Sequence, residues 1–223
     1  MEIDLFPILV GASLALGAAY GLILLPRSPS LLRTAVKTAS VAVIALIAGV
    51  DGAPRLLIIG LAFCALGDAC LAQDRRALPF GLAAFLAGHI AYILLFWQTA
   101  ESFGGMDRAL WRLALTGAAV VAGAVMLAWL WRDLGRLRWA VAAYVAAILG
   151  MVWASLGLPV AMATAMIGAI MFMASDTLLS VQIFKTGAPW AVRREAGLAV
   201  WFLCFLGQWG IAAAFIRPGL LGL

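Results

Sequence analysis

The chain has 223 residues, of which 66% are hydrophobic and 11% charged, with a net charge of +5. A soluble domain carries roughly 25% charged residues, so this composition and a mean hydropathy of +1.10 exclude that class and point to an all-α polytopic membrane protein. The apolar runs are continuous rather than alternating, which excludes a membrane β-barrel. The basic residues sit in short breaks between those runs, as orientation signals do, so the positive charge is no sign of nucleic acid binding.

Eight membrane-spanning helices are predicted, at residues 5–25, 31–50, 55–73, 79–98, 109–130, 138–157, 159–184 and 195–216. The chain starts Met1-Glu2-Ile3-Asp4, without the positive region of a cleavable signal, so the first span reads as a retained anchor. Its sizeable polar group is Tyr20; the fifth span has Thr116, and both spans read as packing or lipid-facing helices. The breaks carry turn chemistry: Pro26 to Pro29, Asp51-Gly52-Ala53-Pro54, Gly104-Gly105, Gly157-Leu158-Pro159 and Gly187-Ala188-Pro189. Short connections predict that consecutive helices pack as antiparallel neighbours within a single transmembrane domain. Trp97, Trp111, Trp129, Trp131, Trp139 and Trp190 fall near span ends and read as interface anchors. Cys64, Cys70 and Cys204 lie inside apolar runs and form neither a disulfide framework nor a CxxC pair.

With the N-terminus outside, ten Lys and Arg residues of the breaks fall on the cytoplasmic side and four (Arg55, Arg108, Arg112 and Arg217) on the other. That is a positive-inside bias, and it predicts both termini to be non-cytoplasmic.

A few polar side chains lie inside the spans. Asp176 stands in an otherwise apolar helix, where a charge costs about 2.5–3.5 kcal/mol on insertion scales. Asp68 is similarly placed in the third span. Lys37 lies in the second, His89 and Tyr92 one turn apart on one face of the fourth, Tyr144 in the sixth and Gln208 in the eighth. Most fall in the cytoplasmic half, a shared depth that predicts one cavity opening toward that side. Gly67-Asp68 resembles Ser175-Asp176, Lys37 and Tyr144 occupy matching points, and Phe85 to His89 resembles Phe205 to Gln208. This weak repeat predicts two parallel four-helix halves, roughly residues 1–104 and 105–223, with Asp68 and Asp176 as equivalents.

Each residue has a structural reading beside the functional one. Lys37 and one Asp would make a salt bridge; the other carboxyl must then find hydrogen bonds or a proton. His89 is as readily a satisfied structural group as a functional one, and Tyr92, Tyr144 and Gln208 suit helix-to-helix hydrogen bonding. One histidine cannot supply a three-His zinc site. No Ser–His–Asp set, Walker loop or Rossmann loop is present. Carboxylate acid–base chemistry without a metal or cofactor remains, alongside ion or proton movement, as in a proton-coupled transporter or permease.

The motifs occur in a recognisable order: Lys37-Thr38, Gly67-Asp68, Phe85-x-x-Gly88-His89-x-x-Tyr92, Tyr144, Ser175-Asp176 and Gln208. In this the chain resembles the lysoplasmalogenase family, the YhhN-like integral membrane proteins, from the second span onward. It departs from the family pattern one turn before Gln208, where Cys204 and Phe205 stand in place of tyrosines. The resemblance implies hydrolysis of the vinyl ether bond of a lysoplasmalogen, giving a fatty aldehyde and a glycerophosphoethanolamine or glycerophosphocholine. The implied partners are a lysophospholipid and the lipid bilayer, and the implied location is a plasma (bacterial inner) membrane. In this reading Asp68 and Asp176 share the acid and base roles. Lys37 and His89 bind phosphate or tune the acids, and Tyr92, Tyr144 and Gln208 position water and the glycerol hydroxyl.

Overall fold

The computed structural model describes residues 4–72, 75–100, 110–185, 187, 189–190 and 193–217. Among them are eight long helices and no strand: α1 (Leu5–Ala19, continued by a π-helical turn Tyr20–Leu24), α2 (Leu31–Val50), α3 (Arg55–Leu71), α4 (Leu78–Thr99), α5 (Leu110–Leu130), α6 (Arg138–Ser155), α7 (Ala163–Phe184) and α8 (Arg194–Ala213). Seven are long and apolar enough to cross a membrane. The third, α3, has 17 residues, at the short end of the roughly 17–25 needed to span about 30 Å of hydrocarbon. The predicted Gly104-Gly105 break, Arg108, the predicted span ends at 73 and 109, and Ala188 lie outside the described residues.

Local chemistry accounts for the helix boundaries. Asp4 caps α1 by accepting from the Phe6 amide at 3.1 Å, and Ser30 caps α2 by accepting from the Arg33 amide at 3.2 Å. Pro54 precedes α3, where a missing amide hydrogen costs no helical bond. Between α2 and α3, Gly52 takes φ +70°, and Gly135 takes +53° before α6; this is left-handed backbone that side chains with a Cβ rarely adopt. The π turn at the end of α1, with the Leu25 amide donating to the Tyr20 carbonyl at 2.7 Å, departs from the plain helix predicted there.

The chain divides into two compact units, residues 1–91 with 212–223 and residues 92–211. In the first, α1 packs on α2 and α2 on α3, and α4 closes on α3 through glycines. A Cβ on Gly88 would lie 2.8 Å from Cys64 Sγ and 3.2 Å from the Gly60 carbonyl. The Ser13 hydroxyl donates to the Ser40 carbonyl at 2.7 Å across α1 and α2. At the far end of this unit Arg217, at φ +48°, donates from Nε to Asp51 at 2.7 Å and lies 4.0 Å from the Phe6 ring. The Asp51 hydrogen bond raises its pKa further, so its charge is permanent.

In the second unit α6 packs on α5 and α7, and α8 crosses α7 with backbone against backbone. A Cβ on Gly168 would lie 2.5 Å from the Gly207 carbonyl oxygen, and one on Gly207 would lie 2.9 Å from that of Gly168. The helix α5, read as a packing or lipid-facing span, is largely exposed: Val120, Val121 and Val125 are exposed, while Ala119 and Leu130 are its buried residues. Of the six tryptophans read as interface anchors, Trp97, Trp111, Trp129, Trp139 and Trp190 are exposed, while Trp131 is half-buried with Trp139 edge-on at 5.5 Å.

Candidate functional site

In the first unit Asp68, 1% exposed, sits near the end of α3. Its Oδ1 lies 2.7 Å from Lys37 Nζ on α2. Its Oδ2 is buried and has no hydrogen-bond partner among the described residues. A short α2–α3 turn brings these helices together, which is why Lys37 meets this carboxylate. The neighbouring Gly67 has a packing reason: a Cβ there would fall 2.5 Å from the Phe85 ring. Gly67-Asp68 and Phe85-x-x-Gly88-His89 are therefore two sides of one helix contact. Phe85 lies over Gly67, Gly88 admits Cys64, and His89 follows fully buried. His89 Nδ1 is 2.6 Å from the Phe85 carbonyl; a carbonyl only accepts, so Nδ1 carries the hydrogen, and in the neutral ring Nε2 is the acceptor.

In the second unit the Tyr144 hydroxyl on α6 donates to Asp176 Oδ2 on α7 at 2.5 Å. The Tyr92 hydroxyl donates to Gln208 Oε1 at 2.5 Å, and Tyr92 stacks on Phe96 with centroids 6.2 Å apart. Gln208 is fully buried, and its Nε2 has no partner among the described residues. Ser175, adjacent to Asp176, donates to the Val200 carbonyl at 2.8 Å and ties α7 to α8. Cys204 and Phe205, where tyrosines were expected, are buried, and Phe205 stacks on Trp201 at 5.4 Å.

One arrangement occurs in both units. Each acid stands eight residues after a glycine (Gly60, Gly168) whose carbonyl meets a glycine of the next helix (Gly88, Gly207). A buried polar residue follows that second glycine: His89 in one unit, Gln208 in the other. Each acid also receives a donor from the preceding helix, Lys37 or Tyr144.

Lys37, expected to bind phosphate or tune the acids, lies on Asp68, and Tyr144, expected to position water and the glycerol hydroxyl, lies on Asp176. Tyr92 and Gln208 are placed on each other. Tyr20, on a span read as packing or lipid-facing, is 3% exposed with two cations over its ring: Lys37 Nζ at 5.8 Å and Arg33 Cζ at 5.9 Å from the centroid. Arg33 is one of the ten basic residues counted on the cytoplasmic side as orientation signals; the available signal for more was its i,i+4 spacing to Lys37. Among the described residues no three His, Cys, Asp or Glu side chains converge as a metal ion would require.

The chain is 34% identical over 141 residues to a Lysoplasmalogenase of Mycobacterium bovis, covering 60% of this chain and 51% of the relative. It is 33% identical over 104 residues to the Uncharacterized membrane protein YhhN of Escherichia coli O157:H7, covering 46% of each. The chain thus spans about half the length of the curated relatives it matches. No solved structure matches it. The family model described as YhhN family matches residues 32–215, which takes in α2 to α8 with every polar residue placed on the two acids, and the chain belongs to the YhhN family.

Proposed function

We propose that this integral membrane protein is a lysoplasmalogenase that hydrolyses the vinyl ether bond of lysoplasmalogens, with Asp68 and Asp176 supplying acid and base. The observation that carries the reading is Asp68: a fully buried carboxyl with one oxygen on an ammonium and the other unpartnered among the described residues. A salt bridge kept only for stability would be expected to bond both oxygens. Here one oxygen is left for chemistry.

The reaction suits two carboxyl groups. A carboxylic acid protonates the β-carbon of the vinyl ether, which becomes an oxocarbenium ion. Water adds to that ion as a carboxylate accepts its proton. The hemiacetal then collapses to a fatty aldehyde and the free glycerol hydroxyl. Glycoside hydrolysis divides the labour in the same way. Lys37 holds Asp68 and Tyr144 holds Asp176. Gln208, aimed by Tyr92, keeps an amide donor for water or the glycerol hydroxyl, and His89 supports the α3–α4 contact beside Asp68. Relatives named Lysoplasmalogenase support this reading.

The recurring glycine–acid–donor arrangement also supports our proposal that the chain is two repeats, roughly 1–104 and 105–223. The positive-inside bias supports placing both termini outside the cytoplasm.

The test is release of fatty aldehyde from a vinyl-ether lysolipid by the purified protein in detergent, with no membrane gradient present. Asp68→Asn and Asp176→Asn are each expected to lower turnover by about 10²–10⁴-fold while still eluting as folded species, Asp68→Asn with a lower unfolding temperature because Lys37 loses its counter-charge. Wild-type turnover in both variants would remove the acids from the mechanism. Absence of aldehyde from the parent protein would favour transport.

A further inference from the structure

The first unit contains a cationic cluster of which the proposed chemistry uses only Lys37. The π turn at the end of α1 buries the Tyr20 ring. Arg33 and Lys37, successive turns of one face of α2, both approach that ring. Lys37 has Asp68 as its counter-charge. Arg33 has no carboxylate within ion-pair reach among the described residues. Its Nη1 donates to the Arg27 carbonyl at 2.8 Å, and its Nε is buried with no partner among the described residues. A part-buried guanidinium with an unspent donor, and no acid paired with it among the described residues, is a site short of one anion.

Its position narrows the anion. Arg33 lies in the first turn of α2, where the helix dipole adds positive character. Leu31 beside it is 87% exposed, at the edge of the apolar run. Headgroup phosphates lie at that level of a bilayer. Arg27 adds a further charge to the same short break, so the cluster is positive even after Asp68 is counted. A guanidinium is a planar, permanently charged donor that suits phosphate oxygens better than a lysine ammonium does.

We propose that Arg33, against Tyr20 and with Lys37 one turn deeper, anchors the phosphate of the lysophospholipid. This rests on the lysoplasmalogenase reading for the ligand's identity. The short glycerol link then sets the vinyl ether deeper along α2 than the phosphate, toward Lys37 and Asp68. The anchor sets the register of the lipid, and headgroups beyond the phosphate are left outside it.

The full-length protein in nonionic detergent tests this by equilibrium binding of a non-hydrolysable 1-O-alkyl lysophospholipid, the matching 1-O-alkylglycerol without phosphate, and inorganic phosphate as competitor. The parent protein is expected to prefer the phosphate-bearing ligand by about 10–100-fold. Arg33→Gln is expected to abolish most of that preference while binding alkylglycerol as the parent does, and Arg33→Lys to retain part of it. If Arg33 merely ties the turn to the Arg27 carbonyl, Arg33→Gln lowers thermal stability and leaves the preference intact, which overturns the proposal. Inorganic phosphate competing at the same concentration as the lysophospholipid would assign the site to free phosphate and overturn the headgroup anchor. The assay is independent of turnover. Loss of preference in Arg33→Gln with no aldehyde from the parent leaves the anchor standing and removes the hydrolase. Aldehyde release with the preference unchanged in Arg33→Gln removes the anchor alone.

Discussion

Lys37 and Asp68 form a pair whose two possible roles make opposite predictions. Breaking a buried ion pair from one side leaves an uncompensated charge, so Lys37→Met should cost about 3–5 kcal/mol, read as a lower unfolding temperature in detergent. Replacing both members by apolar residues of similar size, Lys37→Met with Asp68→Leu, should return stability to near or above that of the parent. Aldehyde release should not return with it, because hydrolysis needs the carboxyl and stability does not. Tyr144→Phe removes one neutral donor from Asp176. It should lower kcat by about 10–100-fold with little change in KM, since the hydroxyl acts on the acid rather than on substrate. The polar residues themselves were legible in the chain, because each interrupts an apolar helix at a cost. Their partners were not. Lys37 and both acids share a depth in sequence, and only the packing of α2 on α3 selects Asp68.

At the scale of the helices, glycines decide how closely neighbours approach. Gly168 and Gly207 bring α7 and α8 into backbone contact, with no flexible side chain there to yield. Gly168→Ala should therefore destabilise by about 1–3 kcal/mol. Gly117 in α5 has nothing within 4 Å of the place an added methyl group would occupy, so Gly117→Ala should instead stabilise by about 0.5–1 kcal/mol through helix propensity. Thermal unfolding of the two variants side by side checks both signs. Composition marks both glycines as small residues in apolar helices. Which of them is clamped depends on the facing helix, and no window of sequence contains that helix. The π turn at Tyr20 is likewise invisible to periodicity, since the apolar run passes through it unbroken.

For the whole molecule, the proposed orientation places Arg55 and Arg136 on opposite sides of the membrane. In a background without Cys64, Cys70 and Cys204, an impermeant maleimide applied to intact cells should label Arg55→Cys and spare Arg136→Cys; both side chains are exposed at helix ends. The reverse pattern would invert the topology. The recurrence of glycine, acid and donor in the two units has a simple physical basis: an acid in an apolar helix needs a donor on one neighbour and close packing on the other.

The membrane class, the eight helices and the residues that carry polarity into them are all written along the chain. Those properties follow from local hydropathy, from turn residues and from the cost of a polar group in lipid, each contained within a short window. Which donor serves which acid, why Gly67 and Gly88 stand where they do, and that Tyr20 and Arg33 belong beside Lys37 emerge only once the helices are packed. Those are contacts between helices, and they depend on how neighbouring surfaces fit.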